Sequence, residues 1–265
     1  MEKKDLMFAK MRKTVSMLVV LIVMTLTASI AKAESTPLSI DDEISVVDEA
    51  LEAYSAEDFA KCRMICEQNP EDPMCQYLLG MIYFYGLGTE ANFEKGLELF
   101  SRSAENGNDL SQYFMGSLYK WGDLVEQDLE KAFDLFSRSA AQGYARSQYA
   151  VAVMYHFGQG VEKDVEEAIR WYEMASEQED GDAQLNLGII YFTGEGAEQN
   201  YTEAATLFHK ASSHGNGQAS CLLGMMFEDG LGVPKDWEMA EVWYNIALEQ
   251  GYEDARELLD NLLNQ

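Results

Sequence analysis

The sequence predicts an all-α fold: a right-handed α/α solenoid of five 36-residue helix-turn-helix units between two capping segments. Three observations carry this prediction. The stretch Gly188-Ile189-Ile190-Tyr191-Phe192-Thr193-Gly194-Glu195-Gly196 recurs at Gly80 to Gly88 and at Gly224 to Gly232, with looser copies starting at Gly116 and Ala152, so one period runs without a slip from residue 73 to residue 252. Within each period, apolar residues recur at i, i+3 and i+4, the spacing of a helix face that must be buried. Glycines and Asn/Asp residues fall at fixed positions between the apolar stretches, where helices stop and start.

Before the repeats, Lys10, Arg12 and Lys13 precede an apolar run from Val15 to Leu26, and Ala31-Lys32-Ala33 supplies the small residues of a cleavage site. That is the layout of a secretory signal peptide over residues 1–33, with Met11 as an alternative start and an uncleaved membrane anchor as the competing reading. Removing those residues leaves 13 basic and 44 acidic side chains, net −31. Such a chain repels nucleic-acid phosphates and anionic headgroups, and a basic protein surface suits it better as a partner. The mature protein is expected in the periplasm or outside the cell of a Gram-negative bacterium, monomeric, with no further membrane segment.

Residues 34–72 read as a leader followed by a degenerate capping repeat. Ile44 to Tyr54 and Ala56 to Gln68 are its expected helices, and a shift of 36 places Ala60 under Gly96 and Met64 under Phe100. Export permits disulfides. Of Cys62, Cys66, Cys75 and Cys221, the pair Cys66–Cys75 flanks the helix-breaking turn Asn69-Pro70-Glu71-Asp72-Pro73 and is the preferred bridge, with Cys62–Cys75 as the alternative. Cys221 aligns with Leu185, Tyr149, Tyr113 and Tyr77, which predicts a buried apolar role.

The five units are 73–108, 109–144, 145–180, 181–216 and 217–252. In each, a first helix of about 13 residues carries Leu79, Met115, Val151, Leu187 or Leu223 in one column. Ile82, Leu118, Met154, Ile190 or Met226 fills a second column. Glycine at 80, 116, 188 and 224, with Ala152 in the remaining unit, costs about 1 kcal/mol inside a helix and therefore points to a close helix–helix approach. Gly86, Gly122, Gly158, Gly194 and Gly230 are expected C-terminal caps. A further loop glycine at 88, 160, 196 and 232, replaced by Leu124 in the second unit, is expected to loosen the turn. Asn92, Asp128, Asp164, Asn200 and Asp236 then cap a second helix of about 14 residues. Glu167 and Glu203 are placed to complete capping boxes. Residues 253–265 read as a C-terminal capping helix.

The pattern Gln184-x-x-Leu187-Gly188-x-x-Tyr191-x-x-Gly194-x-Gly196 followed by Asn200-Tyr201-x-Glu203-Ala204 resembles the Sel-one-like repeat (SLR) family, a relative of the tetratricopeptide repeat. The resemblance covers residues 73 to 252. It implies a non-catalytic adaptor that binds a protein or peptide on a curved surface. A secreted cysteine-rich branch of the family, linked to penicillin binding, supplies the alternative function: an envelope small-ligand binder of peptidoglycan or β-lactams, or a weak hydrolase.

No catalytic, cofactor or metal-ligating set emerges from the sequence. His209 and His214 read as solvated groups, and the Gly-x-Gly loops lack the strand and the Lys-Ser/Thr of a phosphate loop. Asn200-Tyr201-Thr202 is a formal sequon, but Asn200 already serves as a helix cap. One aromatic set is less bland. Phe84, Tyr85, Trp121, His156, Phe157 and Phe192 occupy the last turn of the first helices, and Phe114 extends them. They are either inter-repeat packing or an aromatic ladder along a binding groove, with Trp121 as its anchor.

Overall fold

A computed structural model describes residues 45–122 and 124–264. The expected signal peptide and leader lie outside the described residues. Among those described, the chain forms thirteen helices and no strands. The terminal pair is α1 (Val46–Ser55) and α2 (Phe59–Gln68). Five repeats follow: α3 (Pro73–Tyr85) with α4 (Phe93–Glu105), α5 (Asp109–Trp121) with α6 (Leu129–Ala141), α7 (Ala145–Phe157) with α8 (Val165–Glu177), α9 (Gly181–Thr193) with α10 (Tyr201–Ser213), and α11 (Gly217–Asp229) with α12 (Trp237–Glu249). α13 (Ala255–Leu263) closes the series. Each second helix packs on its own first helix and on the first helix of the next repeat, which makes one continuous all-α solenoid.

The column logic holds in space. A Cβ placed on Gly80, Gly116, Gly188 or Gly224 would come within 2.5–2.9 Å of Phe100, Phe136, Phe208 or Tyr244 in the same repeat. The glycines thus make room for the aromatic ring of the second helix, and those rings are almost wholly enclosed. All ten repeat helices span 13 residues, one fewer than expected for the second of each pair. Asn92, Asp128, Asp164, Asn200 and Asp236 each accept from the backbone N–H three residues on, at 2.9–3.1 Å. A second capping column went unread in the sequence: Asp72, Asn108, Asp180 and Asn216 do the same for the first helices, with Tyr144 the exception.

Three expectations are corrected. The capping boxes do not form, because the N–H of Asp164 donates to the carbonyl of Tyr155 (3.0 Å) and that of Asn200 to Tyr191 (2.8 Å). This bond across the turn recurs in every repeat, and Glu167 turns to Arg170 instead. The second loop glycine is a contact residue and not a loosening one. A Cβ on Gly160 would collide with the carbonyl of Leu129, and one on Gly232 with the carbonyl of Tyr201, each at the start of the preceding repeat's second helix. The terminal pair is also in a different register. Asp58 caps α2 by accepting from Lys61 N–H, and the buried residues are Cys62 and Cys66, while Met64 is 55% exposed. Asp58, Cys62 and Cys66 therefore stand where Asn92, Gly96 and Phe100 stand, a shift of 34, because α2 is 10 residues long against the 13 of α4 and the turn after it is one residue longer.

The last helix repeats the first-helix pattern once more. Leu259 and Leu262 are buried in the columns of Leu223 and Met226, yet exposed Asp260 takes the glycine position and no second helix follows it in the described chain.

Candidate functional site

The penultimate and last residues of the five first helices form two columns that point different ways. The penultimate column is Phe84, Lys120, His156, Phe192 and Glu228. Phe84 is 1% exposed and packs edge-on to Phe93, Phe100 and Phe114 at centroid distances of 5.3–5.9 Å. Phe192 is half-buried against Tyr201 (5.3 Å) and Phe208 (6.3 Å). These rings are core, and half-buried Phe114 packs against them, 4.4 Å from Phe100. Burial lowers the pKa of the Lys120 ammonium in the same column. The groove reading of Phe84, His156 and Phe192 is thereby corrected: consecutive helical residues diverge by about 100°, and this column turns toward its own second helix.

In four of the five repeats the column answers to the aromatic it meets; the second repeat, with Lys120 and Phe136, departs from this. Where the second helix carries Phe100 or Phe208, the penultimate residue is Phe84 or Phe192. Where it carries tyrosine, the residue is polar: Tyr244 donates to Glu228 at 2.7 Å, and the Tyr172 hydroxyl lies 3.4 Å from His156 Nδ1. Burial raises both phenols far above the usual range, which keeps them protonated and available as donors.

The last-residue column is Tyr85, Trp121, Phe157, Thr193 and Asp229. Tyr85 is half-buried beside Phe84. Trp121 and Phe157, by contrast, are 68% and 61% exposed, the two most exposed large aromatics of the described chain, at equivalent positions of consecutive repeats. Half-buried Phe114, Ser117 and Val153 continue the same helix faces toward the helix starts. In the first repeat this stripe is closed, because Leu78 and Met81 are buried in one cluster with Ala50, Leu51 and Tyr54 of the terminal pair. The open stripe begins at the second repeat.

Both exposed rings are held from below. Phe157 stacks on His156 at 4.6 Å with 19° between planes. His156 is 7% exposed, with Nε2 3.4 Å from Glu195, which also receives Lys163 at 3.0 Å. Lys163 and then His156 hold the Glu195 carboxyl below its ordinary pKa. His156 is thus a positioning residue for Phe157 and not a contact residue. The Lys120 ammonium sits 5.3 Å from the Trp121 ring.

The cysteines form a second cluster. Cys62, Cys66 and Cys75 are each 0% exposed and belong to one core cluster. The structure carries all four cysteines as free thiols, so the expected bridge is not formed in it. Cys221 is buried, as its column predicts, and burial pushes its thiol up to about 11. Among the described residues no group of three or more His, Cys, Asp or Glu is arranged to hold a metal ion, and no helix is long and apolar enough to cross a membrane.

The Sel1 repeat model matches residues 73–108, 109–144, 145–180, 181–216 and 217–252. The chain is similar to a Sel1 repeat protein from Oxalobacter formigenes, with 25% identity, a TM-score of 0.75, and coverage of 82% of this chain and 90% of that one. It is also similar to c5321, a protective antigen of uropathogenic Escherichia coli strains displaying an SLR fold. That match has 29% identity and a TM-score of 0.75, covering 83% of this chain and 49% of the antigen, so this chain spans about half the antigen's length. An immunity protein from Pseudomonas aeruginosa, 16% identical with a TM-score of 0.50 over 83% of this chain and 85% of that one, shares the fold. No curated protein matches the sequence.

Proposed function

The chain belongs to the Sel1 repeat family, whose members are generally non-catalytic scaffolds for protein interaction, and on that premise we propose that it binds an extended protein segment across Trp121 and Phe157. The observation that carries this reading is the pair of strongly exposed aromatics at one register position of consecutive repeats, in a chain whose neighbouring column of rings is packed away. Large exposed aromatics cost solubility, and rings already fixed by what lies beneath them lose little freedom on binding. Central aromatic anchors of this kind carry much of the energy at protein interfaces.

The stripe changes character along its length: Trp121 and Phe157 give way to Thr193 and Asp229, with exposed Asp182 in the first turn of the helix that ends at Thr193. With the net charge of the mature chain, this favours a ligand that presents apolar side chains to the second and third repeats and basic ones beyond. The basic, apolar N-terminal segment supports export, which places the ligand in the periplasm or outside the cell.

The test immobilises the protein, captures envelope proteins from the source cells, and compares Trp121→Ala, Phe157→Ala and the double variant. Each single change is expected to weaken capture about tenfold or more, the usual cost of truncating an anchor. An unchanged captured set with the double variant removes the aromatic pair as the interface.

A further inference from the structure

Cys62 and Cys66 lie one turn apart on α2, and Cys75 lies in the first turn of α3, across the turn made by Asn69 to Asp72. All three are fully enclosed in one core cluster, and the middle position belongs to Cys66, one helical turn from Cys62 and across the turn from Cys75. A buried thiol needs no such company, since cysteine packs as a small apolar group. Three buried together where the terminal pair meets the first repeat are placed for sulfur–sulfur chemistry.

We propose that these thiols are an oxidation site in which Cys66 is the obligate partner, forming the Cys66–Cys75 disulfide that ties α2 covalently to α3. The oxidant is a low-molecular-weight disulfide such as oxidised glutathione. The Cys75 thiolate attacks one glutathione sulfur, giving a mixed disulfide and releasing one glutathione thiolate, which takes up the Cys75 proton. Cys66 then gives up its proton and attacks the Cys75 sulfur, and the second glutathione leaves as a thiol. Two thiol hydrogens end on two glutathiones, and the two electrons lost by the cysteines reduce the oxidant.

Cys62 sets the bridge's reversibility. Its thiolate, beside Cys66, can attack that sulfur and expel Cys75, which takes the proton Cys62 lost. The product would join residues four apart on one helix, whose Cβ atoms stand about 5–6 Å apart, against the 3.5–4.5 Å a disulfide prefers. The exchange therefore lies toward Cys66–Cys75. Because the sulfurs are enclosed, oxidation proceeds through opening of the terminal pair, which among the described residues packs on the first repeat alone.

The experiment equilibrates the full-length protein with oxidised glutathione, alkylates remaining thiols in denaturant, and maps disulfides by peptide mass. The wild type and Cys62→Ser are expected to yield Cys66–Cys75, with Cys221 alkylated throughout. Cys66→Ser, checked for its helical spectrum, is expected to yield no internal bridge, and Cys66→Ala repeats the test should the serine variant fail to fold. A Cys62–Cys75 bridge in either Cys66 variant overturns the proposal. So does a bridge to Cys221, or a wild type that stays fully reduced.

Discussion

Gln178 donates through Nε2 to Oε1 of Gln148 at 2.7 Å, tying the end of a repeat's second helix to the first helix of the same repeat. Asn106 makes this bond to Gln76 (3.0 Å) and Gln142 to Gln112 (2.8 Å). The glutamine amide that accepts also donates backward: Gln112 to the carbonyl of Ala104 at 3.1 Å, and Gln148 to that of Ala140 at 3.4 Å. Each such side chain therefore satisfies a carbonyl at the end of the preceding repeat while receiving a bond from its own. The column is a polar seam that fixes the rotation from one repeat to the next, since every buried amide in it is satisfied only in that geometry.

The seam has one gap. In the fourth repeat the donor position is His214, and Gln184 Oε1 is buried without a partner. His214→Gln restores the donor found in the second and third repeats. It is expected to stabilise the protein by about 1 kcal/mol, the net worth of a hydrogen bond that also relieves an orphaned acceptor. A urea or thermal melt reads this directly, and a midpoint at or below the wild type would show that the gap costs nothing.

Backbone strain marks a second place where one repeat departs from the others. Glu179 adopts φ 65°, at the position where Gly107, Gly143, Gly215 and Gly251 take φ of 85–99°. Left-handed backbone costs a residue with a Cβ roughly 1–2 kcal/mol, and glycine's extra freedom in the unfolded chain returns part of that. Glu179→Gly is expected to gain about 0.5–1 kcal/mol. A loss of stability would mean that the Glu179 side chain makes a contact worth more than the strain.

Loop glycines separate turn geometry from packing. Gly107 and Gly160 both have positive φ, but a Cβ on Gly107 meets nothing within 4 Å, whereas on Gly160 it would run into the Leu129 carbonyl oxygen. Gly107→Ala should cost about 1 kcal/mol, from the backbone alone. Gly160→Ala should cost about 1–3 kcal/mol more, because two repeats must move apart. Equal losses in the two denaturation curves would refute the contact role given to the second loop glycine.

Alkaline pH tests the buried phenols. Burial raises Tyr85 to about 12, and burial together with neighbouring charges raises Tyr144 and Tyr149 to about 12, from an ordinary value of 10. A raised folded-state value means that the neutral phenol is favoured in the native protein, so this stabilisation is complete below pH 10 and is lost as pH rises toward about 12. Stability measured by urea midpoint should be flat to about pH 9.5 and fall steeply above about pH 10. Tyrosinate absorbance should rise together with the loss of helix. Absorbance that rises fully near the ordinary phenol value with the helices intact would contradict the burial of these side chains.

Repeat number, helix pairing and caps were legible because each rests on a residue type that one geometry demands: glycine beneath Phe100, aspartate before Leu129, glycine after Phe157. Which of two adjacent aromatics faces outward was not. Phe84 and Tyr85, or His156 and Phe157, stand in the same last turn with similar composition, and only the rotation at which the first helix packs on its partner decides between them. A signal did exist, in the pairing of Tyr172 with His156 and Tyr244 with Glu228 against Phe100 with Phe84. The register of the terminal pair was hidden for another reason. Its second helix is three residues shorter than the others and the turn after it one residue longer, so a 36-residue template misaligns it by two. The bond from Asp164 N–H to Tyr155 carbonyl, which displaces the capping box, leaves no mark in side-chain identity.

The division between the two columns makes a stability prediction that needs no ligand. Phe84 and Phe157 differ by one position in register, yet one is 1% and the other 61% exposed. Phe84→Ala removes a ring packed against Phe93, Phe100 and Phe114 and should cost about 3–5 kcal/mol, from lost transfer energy and the cavity left behind. Phe157→Ala and Trp121→Ala should each stay within about 0.5 kcal/mol of the wild type, since the rings they remove cover little of the core. His156→Ala is the informative intermediate. It deprives Tyr172 of its neighbour and Phe157 of its support, so it should cost about 1–3 kcal/mol while leaving an exposed ring with nothing to hold it. If Phe157→Ala destabilised the protein as much as Phe84→Ala, the exposed pair would be structural, and the surface proposed for partner binding would lose its basis.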